Sequence, residues 1–78
     1  MIHELKIDPG YFRSVWDGYK LFEIRKNDRG FCAEDGVILK EYDSKTDTFS
    51  GREVRGRITY VTDYRQMPGY VVFGFERV

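Results

Sequence analysis

The sequence predicts a mostly β domain with one short helix (α+β), a small five-stranded β-barrel whose helix follows the first strand. Three observations carry that expectation. Its 78 residues allow one hydrophobic core, so residues 1–78 read as a single domain. Apolar and polar residues alternate with period two in short runs separated by turn residues. One stretch alone, opening at Asp8-Pro9-Gly10, exchanges that alternation for helical spacing.

Taken in order, Ile2–Ile7 places His3, Leu5 and Ile7 on one side and Glu4 and Lys6 on the other, the pattern of a half-buried strand. Asp8 is an N-cap and Pro9 suits the first helical position, where its missing N–H costs nothing. Tyr11, Phe12, Val15 and Trp16 then form one apolar stripe, and Gly18 supplies the left-handed exit, giving a helix over about 9–17. Lys20–Lys26 returns to strand alternation, with Phe22 and Ile24 on one face and Leu21, Glu23 and Arg25 on the other. A polar loop and a turn over 33–36 lead to a strand at Val37–Tyr42. Asp43–Gly51 reads as a hairpin loop, and Arg52–Thr62 as a long strand with Val54, Ile58 and Tyr60 on one parity. Met67-Pro68-Gly69 makes a turn, and the apolar run Tyr70–Phe75 predicts a last strand buried on both faces. Trp16, Phe22, Ile24, Leu39, Ile58, Val72 and Phe73 are the candidate core. Barrel closure removes exposed strand edges; an open antiparallel sheet with the helix on one face is the other arrangement these segments permit.

Composition narrows the function. Lys and Arg number 13 and so do Asp and Glu, which excludes a histone-like cation and an acidic disordered tail. Aromatic residues make up 17% of the chain and argue for a packed core. A lone cysteine, Cys32, and a lone histidine, His3, leave no internal disulfide and no multi-ligand zinc site, so neither metal nor cofactor is expected. His3 reads as a satisfied core histidine and Cys32 as a small apolar filler. No apolar run approaches the roughly 18 residues that span a bilayer, and no signal-peptide pattern opens the sequence, so a cytoplasmic setting without membrane contact is expected.

The zero net charge hides a polarity. Lys20, Arg25, Lys26 and Arg29 stand against Glu23 and Asp28, and Arg52, Arg55 and Arg57 against Glu53. The acids Glu34, Asp35, Glu41, Asp43 and Asp47 gather between these basic segments. Clustered cations suit phosphate contacts, and Tyr19, Tyr60 and Tyr64 offer stacking surfaces for unpaired bases. Charge alone is better explained by solvated strand faces with cross-strand ion pairs.

The most shaped constellation is Gly18-Tyr19-Lys20-Leu21-Phe22-Glu23-Ile24-Arg25. It sets a cation, a carboxylate and a second cation along the strand that leaves the helix. Glu23 and Arg25 share a parity, and a carboxylate held between cations stays ionised and oriented. Such a trio reads a nucleobase edge or a phosphate, or serves as an ion-pair network at a barrel rim.

This G-x-K-x-x-E-x-R run, with the extension Arg25-Lys26-Asn27-Asp28-Arg29 and the later Glu34-Asp35-Gly36, resembles the ASCH domain (activating signal cointegrator homology) of the PUA-like superfamily, and within it a short, uncharacterised family. The resemblance runs from His3 to about Phe75. It implies a small barrel whose cleft, between barrel and helix, binds RNA or a nucleotide. Carried onto this sequence, the binding residues are Lys20, Glu23, Arg25, Lys26, Asn27 and Arg29, to which the charge pattern adds Arg57 and Tyr60. Some small ASCH proteins are amidohydrolases of acetylated cytidine that use a lysine, a threonine and a glutamate. Lys20 matches their lysine. Glu23 stands where they carry threonine, and a carboxylate does not replace a hydroxyl nucleophile. Glu76 is the only late glutamate to set against theirs. An RNA-binding module is therefore the leading expectation. A small hydrolase using Lys20 as base or nucleophile with Glu23 as its partner is the alternative, and a protein-interaction domain the third.

Overall fold

A computed structural model describes residues 1–78. The elements run β1 (Ile2–Ile7), α1 (Pro9–Trp16), β2 (Phe22–Lys26), β3 (Gly36–Asp43), β4 (Thr48–Thr62) and β5 (Tyr70–Arg77). The domain is thus mostly β, with its single helix after the first strand, as the alternation pattern predicts. The five strands form one sheet in the order β1-β3-β4-β5-β2, curled into a half-barrel. β1 runs parallel to β3; the other neighbours are antiparallel. β1 and β2 are the end strands, so the curl leaves a seam between them.

Local sequence chemistry explains the helix. Asp8 caps it, its Oδ1 accepting from the Gly10 N–H over 2.9 Å, and Pro9 occupies the first turn. Gly18 takes the exit at φ 84°, a conformation that costs a side-chain-bearing residue far more. Arg77, at the end of β5, donates from Nη1 to the Trp16 carbonyl over 2.8 Å and so ties the open end of the helix to the sheet.

The core gathers Leu5, Ile7, Phe12, Val15, Phe31, Val37, Leu39, Val54, Ile58, Val71, Phe73 and Phe75. Leu39, Ile58 and Phe73 sit in it as expected. Trp16, Phe22 and Ile24 do not: they are 43%, 43% and 56% exposed. On the helix, Phe12 and Val15 take the buried stripe and leave Trp16 at the rim. On β2 the pleat turns Glu23 inward and its apolar neighbours outward, because two cations neutralise the carboxylate there. Val72 is half-buried: β5 alternates Val71, Phe73 and Phe75 inward against Tyr70, Val72 and Gly74, rather than burying both faces.

Tyr60 departs from the expected inward parity because the β4–β5 register shifts between Ile58 and Tyr60. One extra residue inverts the side-chain order, so Tyr60 is 66% exposed and Val61 packs on the core instead. The hairpin between β3 and β4 is also tighter than the expected loop over 43–51, since Asp43 already pairs with Thr48. Gly56 is required in mid-strand: a Cβ there would lie 2.8 Å from the Phe75 ring and 2.9 Å from the Glu76 carbonyl.

Three polar residues face inward, and each has a partner. His3 Nε2 lies 2.8 Å from Asp35 Oδ2, edge-on to Phe31, which is the satisfied histidine the sequence predicts. Glu41 accepts from Arg52 Nε and Nη2 over 3.0 and 2.9 Å. Glu23 is held between Lys20 and Arg25. No buried side-chain nitrogen or oxygen lacks a hydrogen bond, as a small core demands. No helix is long and apolar enough to cross a membrane.

Candidate nucleic-acid interface

The seam opens into a cleft of about 620 Å³, walled by the end of β1, the start of α1, the whole of β2 and Tyr70 of β5. Its floor is built from the G-x-K-x-x-E-x-R run. After Gly18 the chain folds back on the helix, and the N–H groups of Tyr19 and Lys20 donate to the Ser14 carbonyl over 2.9 and 3.1 Å. This places the Lys20 side chain at the mouth of β2. Its Nζ donates to the Phe22 carbonyl over 2.9 Å and to the Glu23 carboxylate, and lies 5.7 Å from the Tyr11 ring centroid.

Glu23 is the buried centre of the trio, with a side chain 6% exposed. Strand alternation aims it inward; Lys20 on one side and Arg25 on the other compensate its charge. Arg25 donates from Nε to Glu23 Oε1 over 3.2 Å and from Nη2 to the Lys6 carbonyl over 2.7 Å. Arg29 repeats the second contact further along, its Nη1 reaching the Glu4 carbonyl over 2.6 Å. β1 is therefore tied across the seam to Arg25 of β2 and to Arg29 of the loop that follows it. The carbonyls they reach are free to accept because β1 has a hydrogen-bonded neighbour on one side only.

The eleven residues lining the cleft include four cations, Lys6, Lys20, Arg25 and Lys26, and two carboxylates, Asp8 and Glu23, with the rings of Tyr11, Phe22 and Tyr70 between them. Of the residues expected at the site, Lys20, Glu23, Arg25 and Lys26 are brought together here. Arg29 lies on the same seam outside the lining. Asn27 holds the loop, its Oδ1 accepting from the Phe31 N–H over 2.9 Å. Arg57 and Tyr60 project from β4 and do not line the cleft; Arg57 pairs with Glu76 and Glu34. Tyr19 and Tyr64 are 88% and 70% exposed and also lie outside it. Glu76, the late glutamate, is likewise committed to Arg57 and does not line the cleft. Lys6, Asp8, Tyr11 and Tyr70 join the site unannounced. Their only sequence signal is Lys6 on the outward parity of β1 and Tyr11 beside the helix start, and neither says that β1 and β2 end facing each other.

No group of three or more His, Cys, Asp or Glu side chains is placed to hold a metal ion. The arrangement is suited to taking up an anion with an attached planar group, through cationic donors and ring faces beside the carboxylate of Glu23.

A family model described as a domain of unknown function, DUF3850, matches residues 2–75. The chain is also 45% identical over 62 residues to an uncharacterized 12.9 kDa protein in the GpA 3′ region of Escherichia phage P2. That match covers 80% of this chain and 55% of the phage protein, so the chain spans about half the length of that relative. With nearly all of its residues inside the family match, the chain belongs to the DUF3850 family.

Proposed function

We propose that this domain is a nucleic-acid-binding module, a branch of the ASCH group of PUA-like domains, that takes RNA or a nucleotide into the seam between β1 and β2. The observation that carries the reading is the cleft itself: four cations, three aromatic rings and two carboxylates, of which Glu23 is held between Lys20 and Arg25, in about 620 Å³. The donors are not exhausted by the internal contacts. A guanidinium has five N–H donors, and Arg25 engages Nε and Nη2, which leaves Nη1 for a phosphate. An ammonium has three, and Lys20 directs two of them at Phe22 and Glu23. Tyr11, Phe22 and Tyr70 supply ring faces of the kind on which unpaired bases stack. Arg57 and Tyr60, outside the cleft, have no part in this reading.

Titration of fluorescent single-stranded RNA pools and of nucleoside monophosphates against the full chain tests it. Binding falls steeply as salt rises, Lys20→Ala and Arg25→Ala weaken it, and Arg57→Ala leaves it unchanged. Equal binding by wild type and both cleft variants overturns the assignment.

One observation favours a second reading. Lys20 and Glu23 are in direct contact at an open cleft, the arrangement in which a proton can pass between an amine and a carboxylate. A small amidohydrolase of acylated nucleosides would use that pair. Release of free cytidine from acetylated cytidine, lost in Lys20→Ala, is the result that favours it over simple binding.

A further inference from the structure

Because the cleft is the gap between two end strands, one of its walls is main chain. The Leu21 carbonyl accepts from the Phe75 N–H over 3.1 Å, and the Asn27 N–H donates to the Gly69 carbonyl over 2.8 Å. The odd-numbered residues of this segment therefore turn their peptide groups toward β5, in keeping with the antiparallel register. Alternation turns those of Phe22 and Ile24 the opposite way, into the seam. Lys20 Nζ meets the Phe22 carbonyl on that side, at 2.9 Å. Ile24 lies between Glu23 and Arg25 and lines the cleft, and no strand beyond β2 receives its N–H and C=O.

A free strand edge of this kind offers one donor and one acceptor side by side. Their complement is a flat group with an adjacent acceptor and donor, which is what the Watson–Crick edge of every unpaired nucleobase presents. The opposite edge is not available on the same terms, since the Lys6 and Glu4 carbonyls of β1 already hold Arg25 and Arg29. An extended peptide that completed the barrel would need both edges, and so the loss of both arginine contacts. A base needs the β2 edge alone and keeps Arg25 in place beside it.

We infer that the main chain of Ile24 reads the Watson–Crick edge of a single unpaired nucleobase held in the seam, which makes this a site for single-stranded nucleic acid or mononucleotides and not for duplex. The inference rests on the nucleic-acid reading above and specifies how that site selects its ligand. Ile24 as a residue is 56% exposed, and its side chain contributes little; the peptide group is the reader.

Calorimetric titration of the full chain with three probes tests it: adenosine monophosphate, whose ring nitrogen N1 accepts from an N–H, the same nucleotide methylated at N1, and ribose phosphate. Methylation weakens binding about tenfold, toward the affinity of ribose phosphate. Ile24→Pro, which deletes one N–H at an edge position where proline is tolerated, abolishes that discrimination and leaves the salt dependence intact. Duplex RNA does not compete. Equal affinity for the methylated and unmethylated nucleotide overturns the inference, as does an unchanged preference in Ile24→Pro. Should that variant unfold, the methylated pair with wild-type protein decides alone. If nucleotides bind and respond to Lys20→Ala while the base edge makes no difference, only this inference falls. If none of the probes binds, the nucleic-acid reading falls with it.

Discussion

Arg25 donates to the main-chain carbonyl of Lys6 over 2.7 Å, and through that bond the last strand of the sheet holds the first. The same guanidinium fixes Glu23, so one side chain both spans the seam and orients the carboxylate beneath it.

Replacing Arg25 is therefore expected to act on stability as well as on the proposed binding. Arg25→Ala is expected to lower the unfolding free energy by about 2 kcal/mol, the scale of hydrogen bonds made by a charged group. Arg25→Lys keeps the charge but has no planar fork to reach Glu23 and Lys6 together, and recovers less than half of that loss. Urea unfolding of the three proteins measures both values.

Glu23 is more costly to remove than either of its partners. Glu23→Ala leaves Lys20 and Arg25, with side chains 20% and 27% exposed, facing each other without their counter-charge. A loss of about 3 kcal/mol is expected, the lower end of the range for breaking a buried ion pair. The double variant Lys20→Met/Glu23→Leu should be more stable than Glu23→Ala, because it removes one of the two uncompensated charges and adds apolar contact. A double-mutant cycle by chemical denaturation reads the difference.

Acid should loosen the junction of β1 with β3. The His3 hydrogen bond holds the Asp35 carboxyl below its ordinary value of 3.8, with help from the Cys32 N–H and the chain's amino group and against the cost of burial. The Glu41 carboxyl is also held below its ordinary 4.5, first by the Ser50 hydroxyl and then by Arg52. A carboxylate lowered in the folded state stabilises fully above its unfolded value, and that stability disappears as pH falls through the folded value. Unfolding free energy is expected to be level above about pH 5 and to fall below about pH 4. Asp35→Asn flattens that decline in a pH series of denaturant melts and lowers the plateau.

Asp8 has two roles that pull apart. As N-cap it accepts from the Gly10 N–H, so Asp8→Ala costs about 1 kcal/mol in thermal or chemical unfolding. As one of two carboxylates lining the cleft it repels an anionic ligand. The same variant should therefore bind nucleotide more tightly at low salt while being less stable. A drop in both quantities would contradict the position given to Asp8 on the cleft wall.

Sequence by itself determined the local elements. Period-two alternation located the strands, Asp8-Pro9 and Gly18 bounded the helix, and the G-x-K-x-x-E-x-R spacing singled out Lys20, Glu23 and Arg25, because these features act over a few residues of chain. It did not determine which face of β2 turns inward. Phe22 and Ile24 look like core and Glu23 like surface until Lys20 and Arg25 are seen to neutralise the carboxylate, a contact that outweighs apolar burial on a short end strand. Nor could it place Tyr60, whose orientation is inverted by a one-residue register shift against β5. The cleft was decided by tertiary structure alone. It exists because the sheet order sets β1 and β2, distant in strand order, at facing ends of one curled sheet, and that closeness comes from long-range pairing with β3 and β5 which no local pattern encodes.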